Sequence, residues 1–87
     1  MAAVTVDTGW PRTNVSGSMR EILYRVDIAA DEDTLQIPLH VVVDAQCNDD
    51  SIQAVGIESI TRSGYGSSVV FNSGGAINNC YCRFLGW

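Results

Sequence analysis

Hydrophobic and polar residues alternate with a period of two along most of this chain, which is the pattern of β-strands with one buried face. The clearest run spans residues 34–45, where every second residue is apolar: Leu35, Ile37, Leu39, Val41 and Val43. Pro38 lies inside this run and has no N–H for a ladder hydrogen bond. The run therefore predicts either a strand at a sheet edge or a strand broken in two.

Met19–Ile28 satisfies two periods at once. As a helix, its apolar residues fall on one face and Ser18-x-x-Glu21 matches a capping box. As a strand, every second residue is a β-branched or aromatic residue that suits a pleated surface: Ile22, Tyr24, Val26 and Ile28. We favour the strand, because the later segments are β-like and no second helix exists to pack against a first.

The remaining segments continue this pattern. Residues 4–6, 52–62, 68–71 and 80–87 are predicted strands, and Gly56 is a candidate bulge. Residues 14–17 are expected to form a loop. Residues 63–67, with two glycines, predict a hairpin connection. Together they indicate a single all-β domain over residues 1–87, an antiparallel β-sandwich or barrel of five to six strands.

The composition favours association with other chains. With 46% hydrophobic and 17% charged residues, the chain is apolar for a length of 87 residues. A domain of this size buries only somewhat more than roughly 60% of the surface of its unfolded chain. We therefore expect additional burial in a homo-oligomer or against a partner.

The charge and the N-terminal sequence exclude several classes of function. Ten acidic residues stand against five arginines and no lysine, giving a net charge of −5. Because the arginines are scattered singly, binding to nucleic acid is disfavoured. The N-terminal residues lack the basic and apolar regions of a signal peptide, and no apolar stretch is long enough for a membrane span. We expect a protein that is kept in a cytoplasm or released by lysis.

Catalytic residue types are few, and we predict that the protein is not an enzyme. His40 is the only histidine, and its strand position predicts a surface or interface residue rather than a general base. No nucleophile-elbow sequence accompanies it. We expect no catalytic residues and no cofactor.

The cysteines could form one metal site and the acidic clusters another. For each set of residues we favour a structural role over metal binding. Cys80 and Cys82 point to the same face of a strand, and with Cys47 they could supply thiolate ligands to zinc. Their spacing does not match a zinc knuckle, so we expect buried thiols packed as small hydrophobic residues. A link from Cys47 to one of the pair stays open. The acidic clusters at residues 31–33 and 48–50 lack the spacing of a calcium loop, and we expect them to be solvated turns.

Three aromatic residues are candidates for contact with a partner: Trp10, Tyr65 and Trp87. Tyr65 stands between two glycines at a predicted hairpin tip, where burial within the same domain is not expected. An exposed aromatic side chain in such a place is a typical contact residue, although anchoring of the loop is nearly as good an explanation.

Residues near both ends of the chain resemble a known class of viral proteins. The matching positions are AAVTV at 2–6, TG at 8–9, Pro11, NV at 14–15, Gly17, RE at 20–21, DTL at 33–35, Phe71, GGAI at 74–77 and LG at 85–86. They are similar to the small proteins encoded beside the major capsid gene in tailed bacteriophages, the head decoration or cement proteins.

This resemblance implies a β-rich structural protein of the virion, assembled in the host cytoplasm. It implies that the protein binds the major capsid protein on the outer capsid surface, commonly as a homotrimer, and clamps neighbouring capsid subunits. Two alternatives remain. One is another virion part, such as a tail or head-completion protein. The other is a stand-alone carbohydrate-binding β-domain that stacks sugars on Trp10, Tyr65 or Trp87.

Overall fold

The computed structural model describes residues 2–51 and 53–87. The described chain folds into eight β-strands. They are β1 (Thr5–Val6), β2 (Arg12–Ser16), β3 (Met19–Ile28), β4 (Thr34–Ile37), β5 (Val42–Asn48), β6 (Gly56–Ser63), β7 (Gly66–Asn72) and β8 (Ile77–Gly86).

The strands form two antiparallel sheets. The five-stranded sheet has the order β1-β3-β8-β5, with β2 paired to the same side of β3 as β1, and the three-stranded sheet has the order β4-β7-β6. Isolated backbone bridges join the sheets at both sides, from Ala3 to Thr34 and from Asn48 to Ala54. The prediction of a small antiparallel β-sandwich is confirmed. No helix among the described residues has the length and apolar character to cross a membrane.

The number of strands is eight rather than the expected five or six, for two reasons. Residues 14–17, predicted as a loop, overlap β2, which pairs with the first half of β3 as a hairpin arm whose residues 12–15 are exposed. Because β2 covers no core, its sequence carries no burial pattern. The run at residues 34–45 also supplies two strands instead of one. Ile52, the first residue of the predicted strand at 52–62, lies outside the described residues, and β6 begins at Gly56.

The strand prediction for Met19–Ile28 is confirmed. In β3, Ile22, Tyr24, Val26 and Ile28 are buried, while the residues between them are only partly covered. Such alternation is the burial pattern of a strand on one face of a core. β3 pairs with β8 over most of its length, so the last strand of the chain lies inside the sheet, as predicted.

The core fills the space between the sheets with the inward-facing residues of both. Phe71 and Phe84 are its largest fully buried side chains, and Tyr24 packs edge to face on Phe84 with ring centroids 6.0 Å apart. The buried hydrophobic cluster consists of Val4, Ile22, Tyr24, Val26, Ile28, Leu35, Ile37, Leu39, Cys47, Val55, Val69, Phe71, Cys80, Cys82 and Phe84.

Pro38 breaks the long alternating run, which is one of the two outcomes that the sequence allowed. β4 ends at Ile37 in the smaller sheet, and the chain then crosses to the larger sheet and resumes as β5 at Val42. The apolar alternation does not predict burial beyond this break. Leu39 is fully buried, but Val41 and Val43 are 50% and 56% exposed.

The crossing segment, residues 37–42, lies directly on two glycines, one in each sheet. A Cβ atom built on Gly66 of β7 would stand 1.9 Å from the carbonyl oxygen of Ile37. One built on Gly86 of β8 would stand 1.8 Å from the carbonyl oxygen of Val41. Any other residue at either position would collide with backbone, so these glycines permit the close approach of the crossing segment.

The hairpin between β6 and β7 forms where the two glycines predicted it. Ser63 pairs with Gly66, and Gly64 and Tyr65 form a two-residue turn in which Gly64 has a φ of 59°. The bulge expected at Gly56 is displaced. The register between β6 and β7 shifts between Ile57 and Ser59 instead.

Replacing Gly66 with alanine should destabilise the protein strongly. Gly66→Ala places a methyl group against the Ile37 carbonyl, so we expect a loss of about 3 kcal/mol in the free energy of unfolding or failure to fold. Urea denaturation monitored by tryptophan fluorescence measures this loss.

Gly64→Ala is the matched control in the same hairpin. No atom lies within 4 Å of a Cβ built there, so only the positive φ opposes the substitution, at about 1 kcal/mol. Equal losses for the two variants would show that the crossing segment does not depend on contact with Gly66.

Candidate functional site

The connections between strands divide the sandwich into two chemically different ends. The β2–β3 turn, the crossing segment, the β6–β7 turn and Trp87 lie at one end. The β3–β4, β5–β6 and β7–β8 connections lie at the other. We name the first the apolar end, defined by Pro38, His40, Val41, Tyr65 and Trp87. We name the second the acidic end, defined by Asp31, Glu32, Asp49, Asp50 and Glu58.

The apolar end exposes large hydrophobic side chains. Tyr65 is 95% exposed at the hairpin tip, as predicted, and Trp87 and Val41 are about half exposed. The segments that build this end, residues 17–20, 37–43, 63–67 and 85–87, contain no Asp or Glu. Glu21 and Asp44, the cross-strand partners of Leu85, border these segments, and both pair with Arg83. A surface with exposed aromatic residues and few acidic ones is typical of the buried centre of a protein–protein interface.

The backbone of the apolar end is held by hydrogen bonds from both sheets. The N–H groups of His40 and Val41 both donate to the Trp87 carbonyl, at 2.6 and 3.2 Å, and the Trp87 N–H donates to Val41. The Ser67 hydroxyl donates to the Leu39 carbonyl at 2.6 Å. The Arg20 guanidinium donates to the Pro38 carbonyl at 2.7 Å. Tyr65 and Trp87 are therefore carried on a fixed backbone, which reduces the ordering cost of binding.

A shallow groove lies beside Tyr65. Its volume is about 290 Å³, and its walls are Gln36, Ile37, Pro38, Tyr65 and Gly66. Because Gly66 has no side chain, the groove floor is backbone. The groove lets a partner side chain pack against the Tyr65 ring and Pro38 together.

The acidic end is organised by its own carboxylates. Asp33 is buried and accepts hydrogen bonds from the backbone N–H groups of Ala29 and Ala30, both at 3.0 Å, and of Ala2 at 3.3 Å. The expectation that residues 31–33 form a solvated turn is wrong for Asp33, because its carboxylate satisfies backbone donors inside the turn. The hydrogen bond from Ala30, with those from Ala2 and Ala29, lowers the pKa of Asp33 against the opposing effect of burial.

The other acidic residues at this end are exposed, except Asp49, which is half-buried. Asp31 accepts hydrogen bonds from Ser73 and Gly74, which ties two turns together. The charge of Glu32 raises the pKa of Glu58. Such crowding shows that negative charge is concentrated at the end opposite Tyr65.

Trp10 lies away from the apolar end. Its ring packs under the guanidinium of Arg12, 4.4 Å from the centroid, and edge to face against Tyr81 at 6.4 Å. The Arg25 guanidinium is 6.0 Å from the same ring and pairs with Asp7 at 2.7 Å. Since Tyr81 stands six residues before Trp87 on an extended strand, roughly 20 Å of sheet separates Trp10 from Trp87.

The three cysteines are buried free thiols, as expected for side chains packed as small hydrophobic residues. The Sγ atoms of Cys80 and Cys82 are 3.8 Å apart, and Cys47 lies opposite Cys82 on the neighbouring strand. The neighbouring thiols of Cys47 and Cys82 lower the pKa of Cys80. The thiol of Cys80 raises the pKa of Cys47 against the opposing effect of Cys82, and the thiols of Cys47 and Cys80 raise the pKa of Cys82. Within residues 2–51 and 53–87, no group of three or more His, Cys, Asp or Glu residues is arranged to hold a metal ion.

His40 contacts the C-terminal Trp87 through its backbone. His40 is exposed on the crossing segment, and its backbone N–H closes the link to Trp87. Its side chain lines neither of two clefts found on the described surface, one beside Cys47 and one beside Tyr65.

Comparison with protein-family models, with curated proteins and with solved structures finds no match for this chain. The structure brings Tyr65 and Trp87 to the same end and places Trp10 elsewhere. Sequence reasoning missed Pro38 and Val41 as members of this end. The available signal was Pro38, because proline cannot donate a ladder hydrogen bond and so marked where the strand pairing, and with it the alternation of buried residues, could end.

Replacing Asp33 with asparagine should remove an acid-dependent part of the stability. A carboxylate whose pKa is lowered by folding contributes stability above its unfolded value of about 3.9, and that contribution is lost as the pH falls through the lower folded value. We expect Asp33→Asn to lower the melting temperature by several degrees at pH 7 and by much less near pH 2.

Thermal denaturation followed by circular dichroism across this range measures the effect. Asp50→Asn, at an exposed acidic residue of the same end, is the control and should melt like the wild type at pH 7. A difference between Asp33→Asn and the wild type that does not change with pH would exclude the carboxylate as its cause.

Proposed function

We propose that this protein is a structural docking protein, a decoration or cement protein that binds the outer surface of a tailed-phage capsid through its apolar end. The observation behind this proposal is that exposed apolar residues and acidic residues are concentrated at opposite ends of the sandwich. Tyr65, Trp87 and Val41 are exposed at one end, and acidic residues are concentrated at the other.

This separation supports a defined orientation on the partner. Exposed aromatic residues supply large contact area with few rotatable bonds, and such residues dominate the energetics of many interfaces. Docking by the apolar end removes them from water and leaves Asp31, Glu32 and Asp50 facing solvent. Exposed negative charge keeps the free protein soluble and keeps decorated particles apart.

The mechanism of stabilisation follows from mass action. A protein that binds the assembled lattice and not its separated subunits stabilises the lattice by an amount that grows with the logarithm of its free concentration relative to its Kd. The rigid backbone beneath Tyr65 and Trp87 favours this role, since little ordering is needed on binding. The resemblance of residues 2–35 and 71–86 to head decoration proteins supports the major capsid protein as the partner and a homotrimer as the bound form.

Co-sedimentation with undecorated heads of the phage that carries this gene tests the proposal. The wild-type chain should sediment with heads. Tyr65→Ser should weaken its affinity by at least about tenfold, because a central aromatic contact residue is lost. Tyr81→Ser is the matched control. Tyr81 is 42% exposed but stands beside Trp10, away from the apolar end, so this variant should bind within about twofold of the wild type.

Three results would overturn the proposal. Equal binding of the wild type and of Tyr65→Ser would remove the apolar end as the docking surface. Sedimentation with tails and not with heads would favour another virion part. Binding to a glycan array that is lost in Tyr65→Ser would favour a carbohydrate-binding domain that uses the groove beside Tyr65.

A further inference from the structure

A thiol cluster lies at one open side of the sandwich, away from the apolar end and next to the β5–β6 connection. Cys47 belongs to β5, the edge strand of the larger sheet, and Cys80 and Cys82 belong to its neighbour β8. All three side chains point inward and are buried. The Sγ atoms of Cys80 and Cys82 are 3.8 Å apart, and Cys47 stands directly opposite Cys82 in the strand register.

The backbone defines which pair can be linked. The Cys47 carbonyl accepts a hydrogen bond of 2.8 Å from the Val55 N–H, so the polar groups of Cys47 point away from β8. Cys47 and Cys82 are therefore a non-hydrogen-bonded pair, whose Cα atoms stand about 4.5 Å apart, within the range that a disulfide spans. Cys80 and Cys82 are two residues apart on one extended strand, about 6.6 Å between Cα atoms, close to the upper limit for a disulfide.

A cleft leads to this pair from solvent. β5 and β6 are joined by backbone near Asn48 and Ala54 and then separate, and the space between them has a volume of about 360 Å³. Cys47 lines this cleft together with apolar side chains of β5, of the β5–β6 connection and of β6: Ala45, Ala54, Val55 and Ile57. Of the three thiols, only Cys47 lines this opening.

We propose that Cys47 and Cys82 are a redox-active pair that forms a cross-strand disulfide by exchange with a low-molecular-mass disulfide of the glutathione class. The Cys47 sulfur attacks one sulfur of the reagent, which gives a mixed disulfide and releases one thiolate that takes up the Cys47 proton. The Cys82 sulfur then attacks the Cys47 sulfur and releases the second thiol. Two protein thiols are oxidised and one reagent disulfide is reduced to two thiols, with Cys80 left free.

The surroundings of Cys47 and Cys82 determine how fast the disulfide forms and how it affects the stability of the fold. The neighbouring Cys80 thiol and burial raise the pKa of Cys47 against the opposing effect of Cys82, so little thiolate is present and exchange is slow. The bond joins an edge strand to a central strand across a long loop, which restricts the unfolded chain. It therefore stabilises the folded state and holds β5 in the sheet.

Overnight incubation of the purified full chain with oxidised glutathione tests the proposal. Remaining thiols are alkylated in denaturant, and the chain is then cleaved by chymotrypsin without reduction. Because cleavage after Tyr81 separates Cys80 from Cys82, mass spectrometry distinguishes the two candidate partners of Cys47. We expect a Cys47–Cys82 crosslink, an alkylated Cys80 and a melting temperature higher by about 10 °C.

Variants provide independent readouts. Cys80→Ala should retain the crosslink and the rise in melting temperature, whereas Cys47→Ala and Cys82→Ala should lose both. A crosslink to Cys80, a product joined between two chains, or three free thiols after incubation would overturn the proposal. If a variant fails to fold, the peptide map of the wild-type chain still decides between these outcomes.

Discussion

The backbone of residues 37–42 passes from one sheet to the other by lying against Gly66 and Gly86, and the arrangement of the whole sandwich depends on this contact. Each glycine belongs to a strand that is paired on both sides, β7 in the smaller sheet and β8 in the larger. The crossing segment therefore fixes how the two sheets are placed relative to each other at this end. Hydrogen bonds from Ser67, Arg20 and Trp87 hold it there.

The same crossing determines where polar and apolar side chains emerge. Pro38 ends β4 because it cannot continue the ladder, and after the buried Leu39 the chain becomes exposed at His40 and Val41. Val41 thus becomes a surface residue beside Trp87 and near the Tyr65 hairpin. At the opposite end, the turns need acceptors for their backbone N–H groups, and Asp31, Asp33 and Asp49 provide them. The polarity of the surface is thus a by-product of how each end closes its turns.

Much of the fold was predictable because a strand with one buried face has a local signature. The alternation in Met19–Ile28 and in residues 80–87 identified the two longest strands, and Gly64 and Gly66 located a hairpin. The exposed β2 was missed, because a strand that contacts no core needs no alternation. Of the three candidate contact residues, Tyr65 and Trp87 lie together. Trp10 does not, because its ring is taken up by Arg12 and Tyr81.

The amino-acid sequence by itself determined the period of the strands, the exposure of Tyr65 and the burial of the cysteines, and it limited the run at Pro38 to an edge strand or a break. Each of these depends on local chemistry: side-chain alternation, a missing N–H, flanking glycines and the low polarity of a thiol. Only the tertiary structure decided that the crossing segment packs against Gly66 and Gly86, that Asp33 is buried, and that Cys47 faces Cys82. These features depend on register between residues distant along the chain, and register is set by the packing of all the strands together.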